Sequence, residues 1–328
     1  MKLGVVGTFV WDTIWTLEDV RAGRPFETWG GVAYSLAAAA AARAEGWEIV
    51  PIVKVGADLA DEARRFMEGL PGVDPVPGVL VVPEANNRVE LRYTDEQRRG
   101  ERLTGGVNAW TWDELAPRLA GIDALYVNFL SGFEMELDTA ERLRASFAGP
   151  IYADLHSLFL GCPGAGVRQM RSLPEWERWA ACFHAIQLNE DELEMLAGDA
   201  LAPVPTRAER LLAHGAGLAL VTQGGHGASY VVREGFPGDP LEWPRWTADG
   251  GQVRHGAVLP EHGHRLGDPT GAGDVWGVTF FSSLLAGLPL EDAIRRAHRL
   301  AGSKMGVRGA TDLYAHLASE PTGEPPRG

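Results

Sequence analysis

The segment GDPTGAGDVWGVTFF, residues 267–281, places a proline, three small residues and one acid directly before a long apolar run. The apolar run predicts a helix, so Gly271, Ala272 and Gly273 would lie at its N-terminus, where backbone N–H groups are free and the helix dipole is positive. Small residues let an anion approach that backbone closely, which predicts a site for phosphate charge. Asp274 would take the first helical position, either as an acid that stabilises the helix or as a general base for a hydroxyl nucleophile.

The composition is typical of a soluble globular protein. The chain has 328 residues, of which 45% are hydrophobic and 23% are charged, and this length allows a substantial core. The formal net charge of −14 disfavours a nucleic-acid partner or an anionic membrane surface, because both require a basic face. A local site for a small anion is still compatible with this charge.

The cysteines and the N-terminal segment give few functional signals. Cys162 and Cys182 form neither a CxxC pair nor a metal-binding spacing. The segment MKLGVVGTFV lacks the length and cleavage site of a signal peptide, and no apolar run reaches the roughly 18 residues that span a bilayer. We therefore expect a cytoplasmic protein with reduced thiols.

Strand and helix patterns alternate along most of the chain. Apolar runs such as KLGVVGTFVWD, EIVPIVKVG and LALVTQGG predict buried strands, and helical patterns occur between such runs. This alternation predicts an α/β fold with a mainly parallel central sheet that is covered by helices on both faces. We expect a single domain over residues 1–318 and a disordered, proline-rich tail over residues 319–328.

Two segments, about residues 13–31 and 86–104, interrupt the alternation. Both combine β-forming residues with charged and turn residues, and neither has a helical period, so we predict strands of a small separate sheet over one edge of the core. The alternative is a pair of long loops. The second segment also contains arginines that either form a solvated face or bind a phosphate on the substrate: Arg88, Arg92, Arg98, Arg99 and Arg102.

The ordered motifs of the chain resemble those of the PfkB, or ribokinase-like, family of sugar and nucleoside kinases. DPTGAGDVWGVTFFSSLLAG resembles the family's C-terminal motif, and GTFVWD, GGVAYSLA, VGADLADEARRFMEG, NEDE and TQGGHG precede it in the family's order. The resemblance covers nearly the whole chain. It implies a ribokinase-like, Rossmann-like fold in which the two irregular segments form a β lid, and an ATP-dependent kinase that acts on an alcohol group.

The resemblance implies roles for the matching residues. Asp274 would take the proton of the substrate hydroxyl, and Gly271, Ala272 and Gly273 would form the anion hole for the transferred phosphoryl group. Asn189 and Glu192 would organise Mg²⁺ and the phosphates, largely through water. Thr222, Gly224, Gly227 and Thr270 would complete the nucleotide site. Asp12 and the pair Gly30 and Gly31 would hold the substrate hydroxyls and permit closure of the lid.

Polar residues at strand ends extend the predicted substrate site. Asn128 and Glu134 follow one predicted strand, and Asp154 and His156 follow another, where α/β folds place ligands. Polar loops are the alternative. Ser35 occupies a position where many sugar kinases have asparagine, and we expect it to contact the substrate through its shorter side chain.

The expected reaction is transfer of the γ-phosphoryl group of ATP to a hydroxyl of a sugar or sugar-like molecule, with Mg²⁺ and with the need for a monovalent cation left open. A nucleoside kinase and a non-catalytic sensor of sugars or nucleotides are the alternatives. A nicotinamide-dependent oxidoreductase is disfavoured, because GVVGTFVWD lacks the G-x-G-x-x-G pattern after the first strand. An exposed lid edge favours pairing, so we expect a homodimer through the lid.

Overall fold

The computed structural model describes residues 1–93, 99–197, 202–247, 251–261 and 267–319. Its strands are β1 (Lys2–Trp15), β2 (Phe26–Gly31), β3 (Glu48–Gly56), β4 (Val79–Val82), β5 (Arg88–Tyr93), β6 (Arg99–Thr104), β7 (Ala124–Asn128), β8 (Ile151–Asp154), β9 (Leu160–Gly164), β10 (Val167–Met170), β11 (Ala185–Asn189), β12 (Leu218–Thr222), β13 (Ala228–Arg233) and β14 (Val253–Val258). Its α-helices are α1 (Leu17–Ala22), α2 (Val32–Ala42), α3 (Ala60–Glu68), α4 (Trp112–Leu115), α5 (Leu137–Ser146), α6 (Trp176–Ala181), α7 (Glu190–Ala197), α8 (Val204–Leu212), α9 (Ala272–Leu285), α10 (Leu290–Lys304) and α11 (Leu313–Ala318).

The main sheet has the strand order β14-β13-β12-β11-β8-β7-β1-β3-β4. Neighbouring strands from β12 to β4 are parallel, and β13 and β14 are antiparallel at one edge. Every residue of β3 after Glu48 is buried, as expected for a parallel strand with cover on both faces. The predicted α/β fold with a mainly parallel sheet is confirmed.

Helices cover both faces of the main sheet. One face packs against α2, α9, α10 and α11, in a core that includes Phe9 and Trp243. The other packs against α5, α6, α7 and α8 around Phe129 and Phe183. Residues 275–284 of α9 are all buried, so this helix holds its N-terminus in a fixed place. Within the described ranges, no helix combines the length and the apolar character that crossing a bilayer requires.

The first strand takes part in two sheets. Residues 2–8 of β1 pair with β3 in the main sheet, whereas residues 9–15 pair with β2 and β5 in a second sheet. This second sheet, which we call the lid, has the order β2-β1-β5-β6-β10-β9. It has an apolar cluster of its own, formed by Val10, Ile14, Val89, Leu91 and Leu103. The predicted small sheet is therefore present.

The lid differs from the prediction in two places. The first segment contains the helix α1, because Asp19 N donates to Thr16 Oγ1 (3.2 Å) and Thr16 N donates to Asp19 Oδ2 (2.9 Å), which is a capping box. The strands β9 and β10 add an unpredicted hairpin, whose turn residues Ala165 and Gly166 have φ of 51° and 76°. The predicted disordered tail, residues 319–328, lies outside the described residues except for Ser319, and the domain limits stay predictions.

The first lid segment is attached to the C-terminal part of the chain. The Arg308 guanidinium donates to both carboxylate oxygens of Asp19, and Ala310 N donates to Thr28 Oγ1 (3.3 Å). The hydrogen bond from Arg308 is the main reason why the pKa of Asp19 is lowered to about 2, and bonds from Thr16 lower it further. We call this set of contacts the lid anchor.

Asp19→Asn should lower the free energy of unfolding near pH 7 by about 1 kcal/mol, the scale of a partly exposed ion pair. The folded-state pKa of Asp19 lies below its unfolded value, so its contribution is complete above about pH 5 and is lost as the pH falls toward 2. Urea unfolding at about pH 7 and about pH 3 measures the difference between parent and variant, which should shrink at the lower pH. Glu18→Gln, on an exposed residue of the same helix, is the control, and an undiminished difference at about pH 3 would contradict the assignment.

Candidate active site

A cavity of about 330 Å³ lies between the lid and the carboxyl ends of the main-sheet strands. Parallel sheets of α/β proteins place their ligands at this edge. Three parts of the chain supply most of the residues that line the cavity. The lid contributes Val10, Asp12, Val89, Leu91 and Glu101, and the loop before α9 with the start of that helix contributes residues 269–271, 273 and 274. The strands β8, β11 and β12 contribute residues at and after their carboxyl ends: Asp154, His156, Ser157, Gln187, Asn189, Glu192, Thr222 and Gly224.

The loop before α9 forms one end of the cavity. Gly271 is the N-cap residue of α9, and both Gly271 and Gly273 line the cavity. The N–H of Ala272 instead donates to the Pro269 carbonyl oxygen (3.1 Å) within the turn. The sequence predicted Asp274 at the first helical position. Because α9 begins at Ala272, Asp274 takes the third position instead. Its side chain still lines the cavity beside the helix N-terminus.

Asn128 holds the Asp274 carboxylate in place. Its Nδ2 donates to Asp274 Oδ1 (2.7 Å) and to Ser35 Oγ (3.0 Å). Asn128 and Ser35 are fully buried and are absent from the described cavity wall. The structure therefore brings these three predicted residues together, but it places Asn128 and Ser35 behind the carboxylate.

Asp154 lies on the cavity wall at the end of β8. Its carboxylate accepts hydrogen bonds from Gln187 Nε2 (2.8 Å) and from the backbone N–H of His156 (3.1 Å). Burial raises the pKa of Asp154 well above its usual value, and the neighbouring carboxylates of Glu192 and Asp274 add to this rise. Gln187 was not predicted, although one polar residue in the middle of the apolar strand AIQLN was a signal for it.

Asn189 and Glu192 form reciprocal bonds at the start of α7. Glu192 N donates to Asn189 Oδ1 (2.9 Å) and Asn189 N donates to Glu192 Oε2 (2.8 Å), in the pattern of a capping box. Glu192 Oε1 also bonds to His156 Nδ1. Burial opposes a charge on His156, but the carboxylates of Glu192, Asp154 and Asp274 outweigh it and raise the pKa of His156 to about 9. An imidazolium therefore lies among three acids near pH 7.

Asp12 lies at the opposite end of the cavity, on the lid half of β1. Its side chain is buried and lines the cavity. A Cβ on Gly30 would lie 1.8 Å from Asp12 Oδ2, so only glycine fits beside this carboxylate. Gly31 has φ of 58° and is the N-cap residue of α2. The predicted glycine pair thus lets the strand β2 pass directly against Asp12.

Two further acids have different environments. Glu134, predicted to contact the substrate, is absent from the described cavity wall and accepts hydrogen bonds from Thr8 Oγ1 (2.9 Å) and Ser131 N (2.6 Å). It therefore holds the loop that follows β7. Glu101 lines the cavity from the lid and accepts a hydrogen bond from Arg168 Nη1 (2.9 Å). Arg168, on the unpredicted hairpin, also donates to the Ser131 carbonyl oxygen (2.9 Å) and so ties the lid to the main sheet.

The predicted nucleotide positions divide into two groups. Thr222 and Gly224 line the cavity at the end of β12, and Thr270 lines it from the loop before α9. Gly227 is not among the described lining residues. It has φ of 95°, and a Cβ there would lie 2.2 Å from the Val258 carbonyl oxygen, so the close pairing of β13 and β14 is a sufficient reason for glycine at this position.

Residues 167–316 match the family model described as the pfkB family of carbohydrate kinases. This part of the chain is similar to that family. A comparison with curated proteins found no match.

Solved structures of kinases share the fold of this protein over almost the whole chain. A fructokinase with bound ATP from Xylella fastidiosa has a TM-score of 0.72 at 13% identity and covers 97% of this chain and 97% of its own. A pyrophosphate-dependent kinase in the ribokinase family, complexed with a pyrophosphate analog and myo-inositol, has a TM-score of 0.71 at 19% identity and covers 98% and 100%. A ribokinase from Thermotoga maritima has a TM-score of 0.67 at 19% identity and covers 97% and 98%.

These comparisons confirm three predictions: the resemblance to the PfkB family, the ribokinase-like fold and the class of phosphotransferase that acts on an alcohol group. The roles of the individual side chains stay predictions.

Gly271→Ala should destabilise the fold, because the φ of 80° at this position is unfavourable for alanine and the added Cβ would lie 2.4 Å from the Tyr34 ring. We expect the free energy of unfolding to fall by about 1–3 kcal/mol, the usual scale of such backbone strain. Gly273→Ala is the control, because a Cβ there meets no described atom within 4 Å, and alanine is favoured over glycine in a helix by about 1 kcal/mol. Urea denaturation measures both variants, and equal stabilities would contradict the close packing of Tyr34 on the loop.

Proposed function

We propose that the protein transfers the γ-phosphoryl group of ATP to a hydroxyl of a sugar or sugar-like acceptor. The observation that carries this proposal is the position of Asp274. Its carboxylate lies at the positive N-terminus of α9 and lines a cavity whose other end holds Asp12. A base beside an anion site suits a reaction in which a hydroxyl attacks a phosphoryl group.

Asp274 accepts the proton of the attacking hydroxyl as the bond between its oxygen and phosphorus forms. Asn128 directs this step, because its Nδ2 donates to Asp274 Oδ1 (2.7 Å) and fixes the orientation of the carboxylate. Asn128 thus acts on the base and not on the acceptor. At the other end of the cavity, Asp12 accepts hydrogen bonds from further hydroxyls of the acceptor.

The N-terminus of α9 stabilises the charge of the group in transfer. The backbone at Gly271 and Gly273 lines the cavity there and is already in place before the reaction, which is what electrostatic stabilisation requires. The lid limits the access of water, since Tyr93 Oη lies 3.0 Å from Thr270 Oγ1 and the lid therefore touches the same loop. Phosphoryl transfer to the acceptor is then favoured over hydrolysis.

The acidic wall suits Mg²⁺ that arrives with the donor phosphates. Asn189, Glu192 and Asp154 present oxygen atoms, the ligand type that Mg²⁺ prefers. Burial raises the pKa of Asp154, and the neighbouring carboxylates of Glu192 and Asp274 raise it further, an effect that a nearby cation would oppose. In the described ranges, no group of three or more His, Cys, Asp or Glu side chains could hold a metal ion, so these residues would hold Mg²⁺ only together with the donor phosphates. When bound, Mg²⁺ neutralises charge on the phosphates.

The charges around the cavity favour an acceptor without a phosphate group. Two of the lid arginines are engaged elsewhere, since Arg88 pairs with Asp58 (2.6 Å) and Arg102 donates to the Ala165 carbonyl oxygen (3.0 Å), while Arg98 lies outside the described residues. These contacts support the solvated-face interpretation of the lid arginines. The ionisable side chains on the described cavity wall are Asp12, Glu101, Asp154, Glu192, Asp274 and His156.

Two other expectations stay proposals. Exposed apolar side chains of the lid, among them Leu17, Val20, Val167 and Met170, would be covered in a homodimer that pairs lid with lid. A cytoplasmic location stays a prediction from the sequence.

Purified protein should form ADP from ATP and Mg²⁺ only when a neutral sugar, polyol or nucleoside is present. A coupled assay across such acceptors and their phosphorylated counterparts, with ATP or pyrophosphate as the donor, tests this directly. Because a phosphorylated acceptor would face an acidic wall, we expect its kcat/KM to be lower by more than about tenfold. Tight NADH binding with no phosphoryl transfer to any acceptor would overturn the proposed kinase activity. Transfer from pyrophosphate but not from ATP would show that pyrophosphate is the donor.

Asp274→Asn should lower kcat by about 10²–10⁴, the usual cost of removing a general base. Its free energy of unfolding should change by no more than about 1 kcal/mol, because asparagine keeps the shape and loses only a charge near a helix N-terminus. Asp292→Asn is the matched control, since Asp292 is an exposed acid at the third position of α10. Turnover and urea unfolding are measured on the same preparations, and an Asp274→Asn variant that retains more than about a tenth of the parent rate would reject Asp274 as the base.

A further inference from the structure

Lys304 is a buried charge for which the proposed mechanism has no use. It is the last residue of α10, and its side chain has 0% exposed surface. Its Nζ donates to the Asp268 carbonyl oxygen (2.8 Å), lies 3.5 Å from Asp268 Oδ2 and lies 5.3 Å from the centre of the Tyr34 ring. Burial of an ammonium group is unfavourable unless it is paired, so these contacts are what allow Lys304 to be buried.

Asp268 and Tyr34 support the loop that leads into α9. Asp268 Oδ1 accepts a hydrogen bond from the N–H of Thr270 (3.0 Å). The Tyr34 ring lies directly against Gly271, where a Cβ would be 2.4 Å away from it. The loop of residues 268–271 is therefore in contact with Asp268 and Tyr34, the same two side chains that Lys304 contacts.

We propose that Lys304 is a positioning residue for phosphoryl transfer, whose ammonium group fixes the loop of residues 268–271 in the geometry that receives the phosphoryl group. The same charge lies behind the N-terminus of α9 and adds to the positive potential there. The kinetic part of this inference rests on the proposed function. Its second part, that Lys304 strengthens the binding of a phosphate anion, can be measured without any turnover.

A purely structural role is the competing interpretation, because a lysine at the end of a helix also stabilises the helix dipole. Lys54 provides a matched control. It is also buried, donates to the Ala109 carbonyl oxygen (2.8 Å), pairs with Glu114 Oε2 (2.7 Å) and lies 5.0 Å from the centre of a Trp110 ring. Lys54 is not among the described lining residues of the cavity. Its replacement therefore shows the effect of losing a buried, paired lysine away from the site.

The experiment compares Lys304→Met and Lys54→Met with the parent protein. It measures kcat, the KM of the acceptor, the calorimetric Kd of pyrophosphate and the melting temperature. We expect Lys304→Met to lower kcat by about tenfold or more and to weaken pyrophosphate binding severalfold, with the KM of the acceptor within about twofold. Lys54→Met should lower the melting temperature and leave kcat within about twofold of the parent value.

Chemical rescue separates a missing charge from a damaged fold. Methionine lacks only the terminal nitrogen position of lysine, so ammonium is small enough to enter the space left by the lysine head group and should restore part of the rate lost in Lys304→Met. Tetramethylammonium at the same concentration should not, because it is too large and has no N–H donor. Rescue by both salts, or by neither when the variant is folded, would contradict the positioning role.

The outcomes distinguish this inference from the proposed function. If Lys304→Met keeps the parent kcat and the parent affinity for pyrophosphate, the inference is overturned and the kinase stands. If the parent protein transfers phosphoryl groups to no acceptor, the proposed function fails, and the pyrophosphate measurement still decides the inference. If Lys304→Met does not fold, Lys304→Gln tests the same contact, because its amide can still donate to the Asp268 carbonyl oxygen but carries no charge. An unchanged kcat and pyrophosphate affinity in Lys304→Gln would then overturn the inference.

Discussion

The uninterrupted strand β1 determines where the lid lies, and the site depends on it. Residues 2–8 of this strand are hydrogen-bonded in the parallel main sheet, and residues 9–15 are hydrogen-bonded in the lid. Ladders on both sides fix the direction in which the lid leaves the main sheet. Asp12 is thereby held over the edge at which Asp154 and Asp274 lie. A flexible connection in place of β1 would not set this distance, because a loop permits many relative positions of the two sheets.

The second constraint is electrostatic, since the cavity combines buried acids with the positive end of a helix. Two of the acids accept hydrogen bonds from N–H donors of the strand β11, since Gln187 donates to Asp154 and the backbone of Asn189 donates to Glu192. His156 contributes a cation that the acids themselves keep protonated. In the proposed reaction, an anionic donor would meet positive groups on the side of α9 and His156, while the attacking hydroxyl would meet a carboxylate.

Local patterns predicted the parts of the structure that local interactions determine. The apolar run after residue 274 predicted α9, because burial on all sides selects a helix there. The predicted start was two positions too late, since Ala272 and Gly273 already have helical geometry. The helix α1 was missed because its segment has no helical period, although Thr16 and Asp19 form the T-x-x-D signature of a capping box. The turn Ala165–Gly166 does not have the Asn-Gly or Asp-Gly signature that identifies most two-residue hairpins.

Contacts between distant parts of the chain could not be predicted in this way. The position of Asn128 at a strand end was predicted, but its partner Asp274 is 146 positions away, so a substrate contact was the natural interpretation. In the sequence, Glu134 looks like an acid that binds a ligand, but its carboxylate accepts hydrogen bonds from backbone N–H groups of its own loop. Burial of Lys304 depends on Asp268 and Tyr34, which lie on other elements of the fold.

The lid is attached to the rest of the molecule at both of its edges, and this restricts how a ligand can enter. At the edge of β2, Arg308 forms a bidentate pair with Asp19, and at the edge of β9 and β10, Arg168 donates to the backbone carbonyl oxygen of Ser131. A flap that swung as one piece would break both attachments at once. A lid that opens at one edge breaks only the attachment at that edge, so a ligand enters the cavity from the side that separates while the other attachment holds.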